Sequence, residues 1–510
     1  MTTYIADLVE VLEEAGSRPV LRCDGADTTG AALLADVRRH ARALDGLGVG
    51  RGDLVALIAP NRPEALMVRY AAHLVGAAAV YLSVPPAPER RARMIAQFAP
   101  RLLVVFPETA DLLPAGVEAP VASVGEGADL RLDVLAAAES AEPFACRARP
   151  EDPAVLISSG GTTGVPKGSR RDFASYSTAV AAPVDPARRQ LANGKLAYLT
   201  QILVDQTLLG GGLVVLQDHY EPVATLQAVE RERITHLFLV EPQLFGLMDA
   251  PAVADHDLSS LHALVHIGAM AAPVLRRRAR RNLGPVVMHT YGASEIGIVS
   301  ALPPAEHDRS SRFRCAGRIV PGVDVRFRAA DGTLDPRAGA IEVRSPAMAQ
   351  GYTNRPVEEA EHFVDGWYRT GDLGCLDDED MLRILGRESD IGELGAVTPT
   401  ELQQTLCALP SVRYAVLVAD PVPGDGACGV DHRRGDGACG VDHRPGVRIA
   451  AAEAWPGGRV DVADCRAAVA AQYGEAVAAT LQVVPVDSIP LTEQGKPNRV
   501  AIRELAAALR

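Results

Sequence analysis

Residues 158–167 read Ser-Ser-Gly-Gly-Thr-Thr-Gly-Val-Pro-Lys, directly after the apolar run Ala-Val-Leu-Ile at 154–157. A short apolar run that ends in turn-forming residues is the pattern of a buried strand. A strand opening into small, hydroxylated residues and glycines presents bare backbone N–H groups and two threonine hydroxyls to whatever lies above it. That is a cradle for phosphate oxygens. It is not the common P-loop, which closes on Gly-Lys-Ser/Thr after four spacer residues. Here Pro166 precedes Lys167 and Gly168 follows it.

Outward from this loop, helical patterns alternate with short apolar strands. Residues 31–47 are amphipathic, with arginines between the apolar positions. A strand is expected at 54–59, a helix at 63–75, and strands at 78–82, 102–106, 213–216, 237–240, 263–267 and 286–289. The alternation predicts an α/β fold, a large N-terminal domain of helix-covered sheets. From about residue 315 the texture changes: 318–328, 339–344 and 381–386 read as antiparallel strands in a β-rich subdomain spanning about 315–387. A hinge at 388–390 and a small mobile α+β C-terminal domain at 391–510 are expected to follow the large domain of 1–387. In the small domain, helices are expected at 399–408 and 462–473, and strands at 413–419 and 481–484.

The small domain holds a duplicated loop at 424–444, in which Gly-Asp-Gly-Ala-Cys-Gly-Val-Asp-His-Arg occurs twice. Cys428, His432, Cys439 and His443 are zinc-type ligands, but their spacing matches no usual finger. A tandem duplication in a glycine-rich surface loop is the preferred reading, because loop length costs little.

The 510 residues suffice for two or three domains, and 48% hydrophobic with 23% charged residues is a globular composition. A net charge of −13 argues against general binding to nucleic acid or to anionic membranes. The first residues, Met-Thr-Thr-Tyr-Ile-Ala-Asp, lack the basic start and apolar core of a signal peptide. With eight scattered cysteines in a large chain, the expectation is a cytoplasmic protein with reduced thiols.

Three further motifs follow the loop: Tyr291-Gly-Ala-Ser-Glu295; Tyr368-Arg-Thr-Gly-Asp372 with Gly386-Arg387; and Leu491-Thr-Glu-Gln-Gly-Lys496. In that order and spacing, the four motifs resemble those of the adenylate-forming superfamily of AMP-dependent synthetases and ligases, which includes acyl-CoA synthetases, adenylation domains and luciferases. The resemblance implies that a carboxylate attacks the α-phosphate of ATP and expels pyrophosphate, so that catalysis is mostly positioning and charge neutralisation. It assigns Ser159, Gly161, Thr162, Thr163, Gly164 and the catalytic Lys167 to the β- and γ-phosphates. Glu295 would hold Mg²⁺, a hard cation that takes oxygen ligands. Ser294 stands where threonine is usual and would bind the α-phosphate; Tyr291 and Gly292 would lie by the adenine. Asp372 would accept from the ribose hydroxyls, reinforced by Arg387, and Lys496 would place its ammonium between carboxylate and α-phosphate.

The chain departs from the family pattern in two places. The strip after Arg387, Glu-Ser-Asp-Ile-Gly-Glu-Leu-Gly-Ala-Val-Thr-Pro, is about two residues shorter than in the family. In relatives that strip helps build the pantetheine tunnel. At 199–206 the family's Pro-x-x-His gives way to Leu-Thr-Gln-Ile-Leu-Val-Asp-Gln. Gln201 and Asp205 are therefore candidate substrate-reading residues, Asp205 toward an amine or hydroxyl, although an exposed acid at a helix start is as good a reading of Asp205. Gly268, Ala269, Met270, Ile296 and Gly297 would line the same pocket, their small sizes suiting a flat or modest acid. The run at 276–281, five arginines and an alanine, could meet coenzyme A phosphates but reads better as one solvated helix face.

The expected enzyme activates a small carboxylic acid, aromatic acids among them, and passes it to CoA or a carrier thiol, with small-molecule partners and neither nucleic acid nor membrane. The alternative is a diazotase-type relative from natural-product (secondary) metabolism that activates nitrite for transfer to an aryl amine. A catalytically dead scaffold is the third reading; the retained Lys167, Glu295, Asp372, Arg387 and Lys496 argue against it.

Overall fold

The Leu-Val-Val-Leu of Leu213–Leu216 sends alternate side chains to opposite faces of a strand, and both faces are buried. Val214 and Leu216 enter one core; Leu213 and Val215 enter another. This is the situation of a parallel strand covered by helices on both sides. In the computed structural model, Leu213–Leu216 pairs in parallel with Pro19–Cys23 and with Arg189–Ala192 inside a nine-stranded sheet. The structure describes residues 2–509 except 84, 86, 159–166, 182–183, 268–271, 389–396, 420–446 and 493–494.

A second sheet of eight strands carries Leu54–Ile58, Ala78–Tyr81 and Leu102–Val105 in parallel. Pro153–Ser158 joins them, and Gly168–Asp172 returns antiparallel beside it. The helices Gly30–Gly46, Pro63–Leu74 and Leu199–Leu209 share one core with strands from both sheets: Leu33, Tyr70 and Val204 pack with Val55, Leu57, Val214 and Leu216. Burying a side chain of this size contributes roughly 1.5–3 kcal/mol, so this shared core fixes the two sheets against each other.

The β-rich part is a six-stranded sheet built on Asp324–Arg328, Ala338–Arg344, Trp367–Leu376 and Leu382–Arg387. The strand expected over 318–328 is in fact two. Arg318–Ile319 pairs with Gly297–Leu302 in the nine-stranded sheet, and Asp324–Arg328 belongs to the six-stranded one. Pro321 offers no N–H, and Gly322 has φ +82°, so the chain turns between them and changes sheets.

The C-terminal lobe has a three-stranded sheet, Tyr414–Ala419, Arg448–Glu453 and Leu481–Val486, with helices Pro399–Leu406, Val462–Tyr473 and Arg499–Ala508. Thr398 and Glu401 form a reciprocal capping box at its first helix. The lobe shares a core with the helices Glu241–Met248 and Pro273–Leu283, where Leu244 and Leu275 meet Leu402, Val416 and Ile449. A polar seam fixes the register: buried Glu241 accepts from Tyr414 Oη (2.7 Å) and Gln403 Nε2 (3.1 Å), and Gln403 Oε1 accepts from the Ala272 N–H (3.0 Å).

The arginine run is not one solvated face. Arg276 is buried and donates to the carbonyls of Phe313 and Cys315, and Arg278 is buried against Asp249. Arg277 and Arg281 alone in the run are exposed. Helix periodicity explains this: the same helix must bury one stripe in the shared core, and arginine stems can cover that ground if their heads find carbonyls or acids. Apart from Glu388, the expected hinge lies outside the described residues, as does the duplicated loop with Cys428, His432, Cys439 and His443. Among the described residues, no helix is long and apolar enough to cross a membrane.

Candidate active site

The motif at 291–295 is a hairpin tip. Val287–Ala293 runs antiparallel to Gly297–Leu302, and residues 294–296 make the turn. A Cβ on Gly292 would lie 2.2 Å from the Gly297 carbonyl oxygen, so no side chain fits there. Gly297, at φ +74°, takes the left-handed conformation that closes the hairpin. The tip points Ser294 at a cavity and holds Glu295 just behind it. Glu295 is buried, accepts from Tyr352 Oη at 3.0 Å, and its backbone carbonyl accepts from the Ala349 N–H at 2.7 Å. Lys167, at the end of the phosphate-loop motif, sits 5.1 Å from the centroid of the Tyr352 ring.

Asp372 and Arg387 face each other as register partners across two antiparallel strands. Arg387 Nε lies 3.1 Å from Asp372 Oδ1, and Tyr291 Oη donates to Asp372 Oδ2 at 2.6 Å. Gly371, at φ +71°, lets the strand kink so that Asp372 can turn toward the hairpin. Burial, then the Asp372 carboxylate, pushes the Tyr291 phenol well above its usual pKa. The same carboxylate raises Arg387. Two motifs far apart in sequence thus converge on one polar cluster.

Lys496 reaches the cluster from the C-terminal lobe. Its turn is tight: Thr492 N–H donates to the Lys496 carbonyl at 2.7 Å, and Gly495 N–H to that of Thr492 at 2.8 Å. Gly495 has φ +76°, and a Cβ there would lie 3.2 Å from both Val240 and Gln243 of the large lobe. Glycine is therefore what allows this turn to close on the cavity. Desolvation, then the nearby Arg387, lowers the Lys496 ammonium pKa, while Glu295 and Asp372 oppose the shift.

The cavity itself has a volume of about 370 Å³. Gly292, Ser294, Gly297 and Lys496 line one part of it; Tyr198, Leu199, Ile202, Phe238, Ile267 and Ile298 make an apolar part. Among the described lining residues there is no aspartate or glutamate, whereas Lys195, Arg171 and Lys496 are cations.

Not every candidate gathers here. Gln201 and Asp205 belong to the lining helix, but they face away from the cavity into the shared core, 1% and 0% exposed. Asp205 takes both Nη groups of Arg69 (3.0 and 2.6 Å) and the hydroxyls of Tyr70 and Tyr176 (2.6 Å each). It is neither a substrate-reading acid nor an exposed one: a carboxylate with four donors is already saturated. Ile296 likewise packs into the core of the β-rich part rather than lining the cavity. Its neighbours across the turn, Gly297 and Ile298, take that place. Ser159, Gly161, Thr162, Thr163, Gly164, Gly268, Ala269 and Met270 lie outside the described residues.

One lining residue has no counterpart among the sequence candidates. Arg171 is 1% exposed; its Nε donates to the Ala347 carbonyl at 2.9 Å, and its Nη1 has no hydrogen-bond partner. The signal was present in the sequence, because 170–171 put two arginines on adjacent, hence opposite, faces of one short strand. Which of them turns inward is decided by pairing with Pro153–Ser158, which places Arg171 opposite Val155.

Tyr291, Asp372, Arg387 and Lys496 meet beside one cavity, with Glu295 and Lys167 behind it against Tyr352, and this is the arrangement of an AMP-forming acid ligase. The family model described as AMP-binding enzyme matches residues 8–353, and the chain belongs to that family. The solved structure of the amide bond synthetase McbA from Marinactinospora thermotolerans is 32% identical, covers 98% of this chain and 99% of its own, and superposes with a TM-score of 0.84. The medium/long-chain-fatty-acid–CoA ligase FadD8 of Mycobacterium tuberculosis is 29% identical, covering 97% of this chain and 89% of its own. The anthranilate CoA ligase AuaEII, solved with anthranoyl-AMP, shares the fold at 20% identity with a TM-score of 0.86 over 100% of this chain and 98% of its own.

Proposed function

We propose that the protein uses ATP to convert a small, largely apolar carboxylic acid into its acyl-adenylate, and then transfers the acyl group to a nucleophile. The observation that carries this reading is the shared cavity. The Lys496 ammonium, the Ser294 hairpin tip and an apolar pocket all border it. Among the described lining residues an anionic carboxylate meets cations and no carboxylate, which favours holding it beside a nucleotide.

In this reading Asp372, supported by Arg387 and Tyr291, holds the ribose hydroxyls, and Lys167 with the loop 159–164 holds the outer phosphates. The substrate carboxylate oxygen forms a bond to the α-phosphorus as the bond to the leaving pyrophosphate breaks. Lys496 neutralises the charge that gathers between the two anions, a role worth about 10²–10³ in rate for a single preorganised donor. Glu295, a buried carboxylate beside the cavity held by the Tyr352 hydroxyl, would suit Mg²⁺, which ordinarily takes one or two carboxylates plus phosphate oxygens and water. Bound there, it would neutralise phosphate charge.

For the second step, CoA or a carrier thiol attacks the acyl carbon and AMP leaves. A second reading has an amine as the acceptor. It is favoured by the likeness, at 32% identity over nearly the whole chain, to a protein named as an amide bond synthetase. One panel tests both. The protein is incubated with ATP, Mg²⁺ and small aromatic or aliphatic acids, each with CoA, with an aryl amine, or alone; nitrite with the amine replaces the acid in a further arm. Acid-dependent pyrophosphate exchange is expected, with AMP release on adding the true acceptor. Exchange with nitrite and with none of the acids would overturn the reading in favour of diazotisation.

A further inference from the structure

Arg171 is the one fully buried cation on the cavity wall with an unpartnered donor among the described residues. A buried charge lacking a partner is strongly unfavourable, and proteins avoid it unless something supplies the missing anion. Among the described lining residues no carboxylate does so; that of Glu295 acts on Arg171 without a hydrogen bond. Burial accordingly presses the guanidinium below its ordinary pKa. Nε is committed to the Ala347 carbonyl, and Nη1 is the donor left for a ligand carboxylate oxygen.

Arg171 and Lys496 reach the cavity from different walls. Arg171 is tied to the carbonyl of Ala347, whose side chain packs against the strand start at Gly297, whereas Lys496 follows Gly495 on the turn of the C-terminal lobe that closes on Val240 and Gln243.

We propose that Arg171 is a specificity residue that receives a second carboxylate of the acid substrate, so that the preferred substrate is a small dicarboxylic acid with one end adenylated and the other held by this guanidinium. The proposal rests on the adenylation reading above and narrows its substrate class.

The test uses matched pairs that differ by one carboxylate: benzoate against the 1,2- and 1,3-benzenedicarboxylates, and butanoate against butanedioate. Pyrophosphate exchange gives kcat/KM for each acid, and calorimetry gives its binding to the full-length protein with AMP present. The wild type should favour a diacid over its monoacid by about 30-fold or more, the effect of a desolvated charge pair. Arg171→Met should abolish or reverse that preference, and Arg171→Lys should keep part of it, since it retains the charge but not the fork. Arg171→Met should also raise the melting temperature of the ligand-free protein, because it removes an unpaired buried charge; a merely structural arginine would lower it.

The proposal is overturned if the diacid-to-monoacid ratio is the same in wild type and Arg171→Met, if every acid loses activity equally, which would put Arg171 on the reacting carboxylate, or if no diacid binds. Diacid binding lost in Arg171→Met, without exchange in any variant, would sink adenylation and leave this assignment standing. Exchange with monoacids and an indifferent ratio would do the reverse.

Discussion

Two fully buried arginines lie near Tyr176, and they are opposite cases. Arg69, on Pro63–Leu74, meets Asp205 with both Nη groups and Tyr176 with one, under the helix Leu199–Leu209. Arg171, on Gly168–Asp172, makes one bond to a backbone carbonyl and borders the cavity that the same helix walls from above. A buried charge whose partners are all protein is scaffolding: it sets where the helix lies and hence where Leu199 and Ile202 line the cavity. A buried charge left open beside a cavity has a partner that comes and goes. Burial is equal in the two, and each keeps one unpartnered nitrogen, Arg69 Nε and Arg171 Nη1; what separates them is that Arg69 has a carboxylate against its guanidinium and Arg171 has a cavity beside it.

The largest effect should come from breaking the closed case. Asp205→Ala leaves Arg69 uncompensated in the core and should remove about 3–5 kcal/mol of stability, read as a lower midpoint in urea unfolding. Asp205→Asn should also destabilise, because an amide cannot take four donors. If Asp205→Asn instead kept its stability and changed which acid is adenylated, the roles given to Asp205 and Arg171 would be interchanged.

Next in size is Lys496→Ala. Lys496 lines the cavity and is reached by solvent there, although protein around its ammonium desolvates it; its loss leaves no buried group unpaired, and the melting temperature should stay put. Pyrophosphate exchange should fall about 10²–10³-fold. An unchanged exchange rate would remove the lysine from the adenylation step. Asp372→Asn should be milder. It weakens the bonds to Tyr291 and Arg387 without opening a core, and the KM for ATP should rise about tenfold, as for one to two hydrogen bonds to a charged group. A rise confined to the KM of the acid would place Asp372 in the wrong half of the site.

The alternation of Leu213–Leu216 and its neighbours exposed the α/β architecture in the sequence, because strands buried on both faces leave little freedom in composition. That Tyr291, Asp372, Arg387 and Lys496 would come together was equally legible: they sit in compact motifs whose glycines, Gly292, Gly371 and Gly495, are fixed by turns and close approach. The acid half was not. Asp205 looked like a substrate contact because its partner Arg69 lies 136 residues away, and helix phase, not residue type, decides which way it faces. Arg171 was overlooked for the converse reason. Beside Arg170 and a basic motif it reads as surface charge, until strand pairing turns one of the two inward. The split of 318–328 between two sheets is a third instance, in which a Pro-Gly pair marks a turn but cannot say which sheet each half joins.

The smallest effect separates the two cavity cations by pH. Burial lowers both Lys496 and Arg171, but an arginine starts so high that it stays charged across the working range, whereas a lysine can lose its proton there. Only the protonated lysine neutralises the meeting anions, and a depressed pKa means that this form is lost at a lower pH than for an ordinary lysine. The kcat/KM for pyrophosphate exchange, which reports the free enzyme, should therefore fall on the alkaline side with a midpoint below the usual lysine value. Lys496→Arg should carry that fall upward out of the accessible range, at whatever residual rate it supports, because a guanidinium does not titrate there. Arg171→Met should lower the diacid rate but leave the midpoint where it was. An alkaline fall that persists in Lys496→Arg and moves in Arg171→Met would assign the reacting carboxylate to Arg171, and the roles given to the two cations would have to be exchanged.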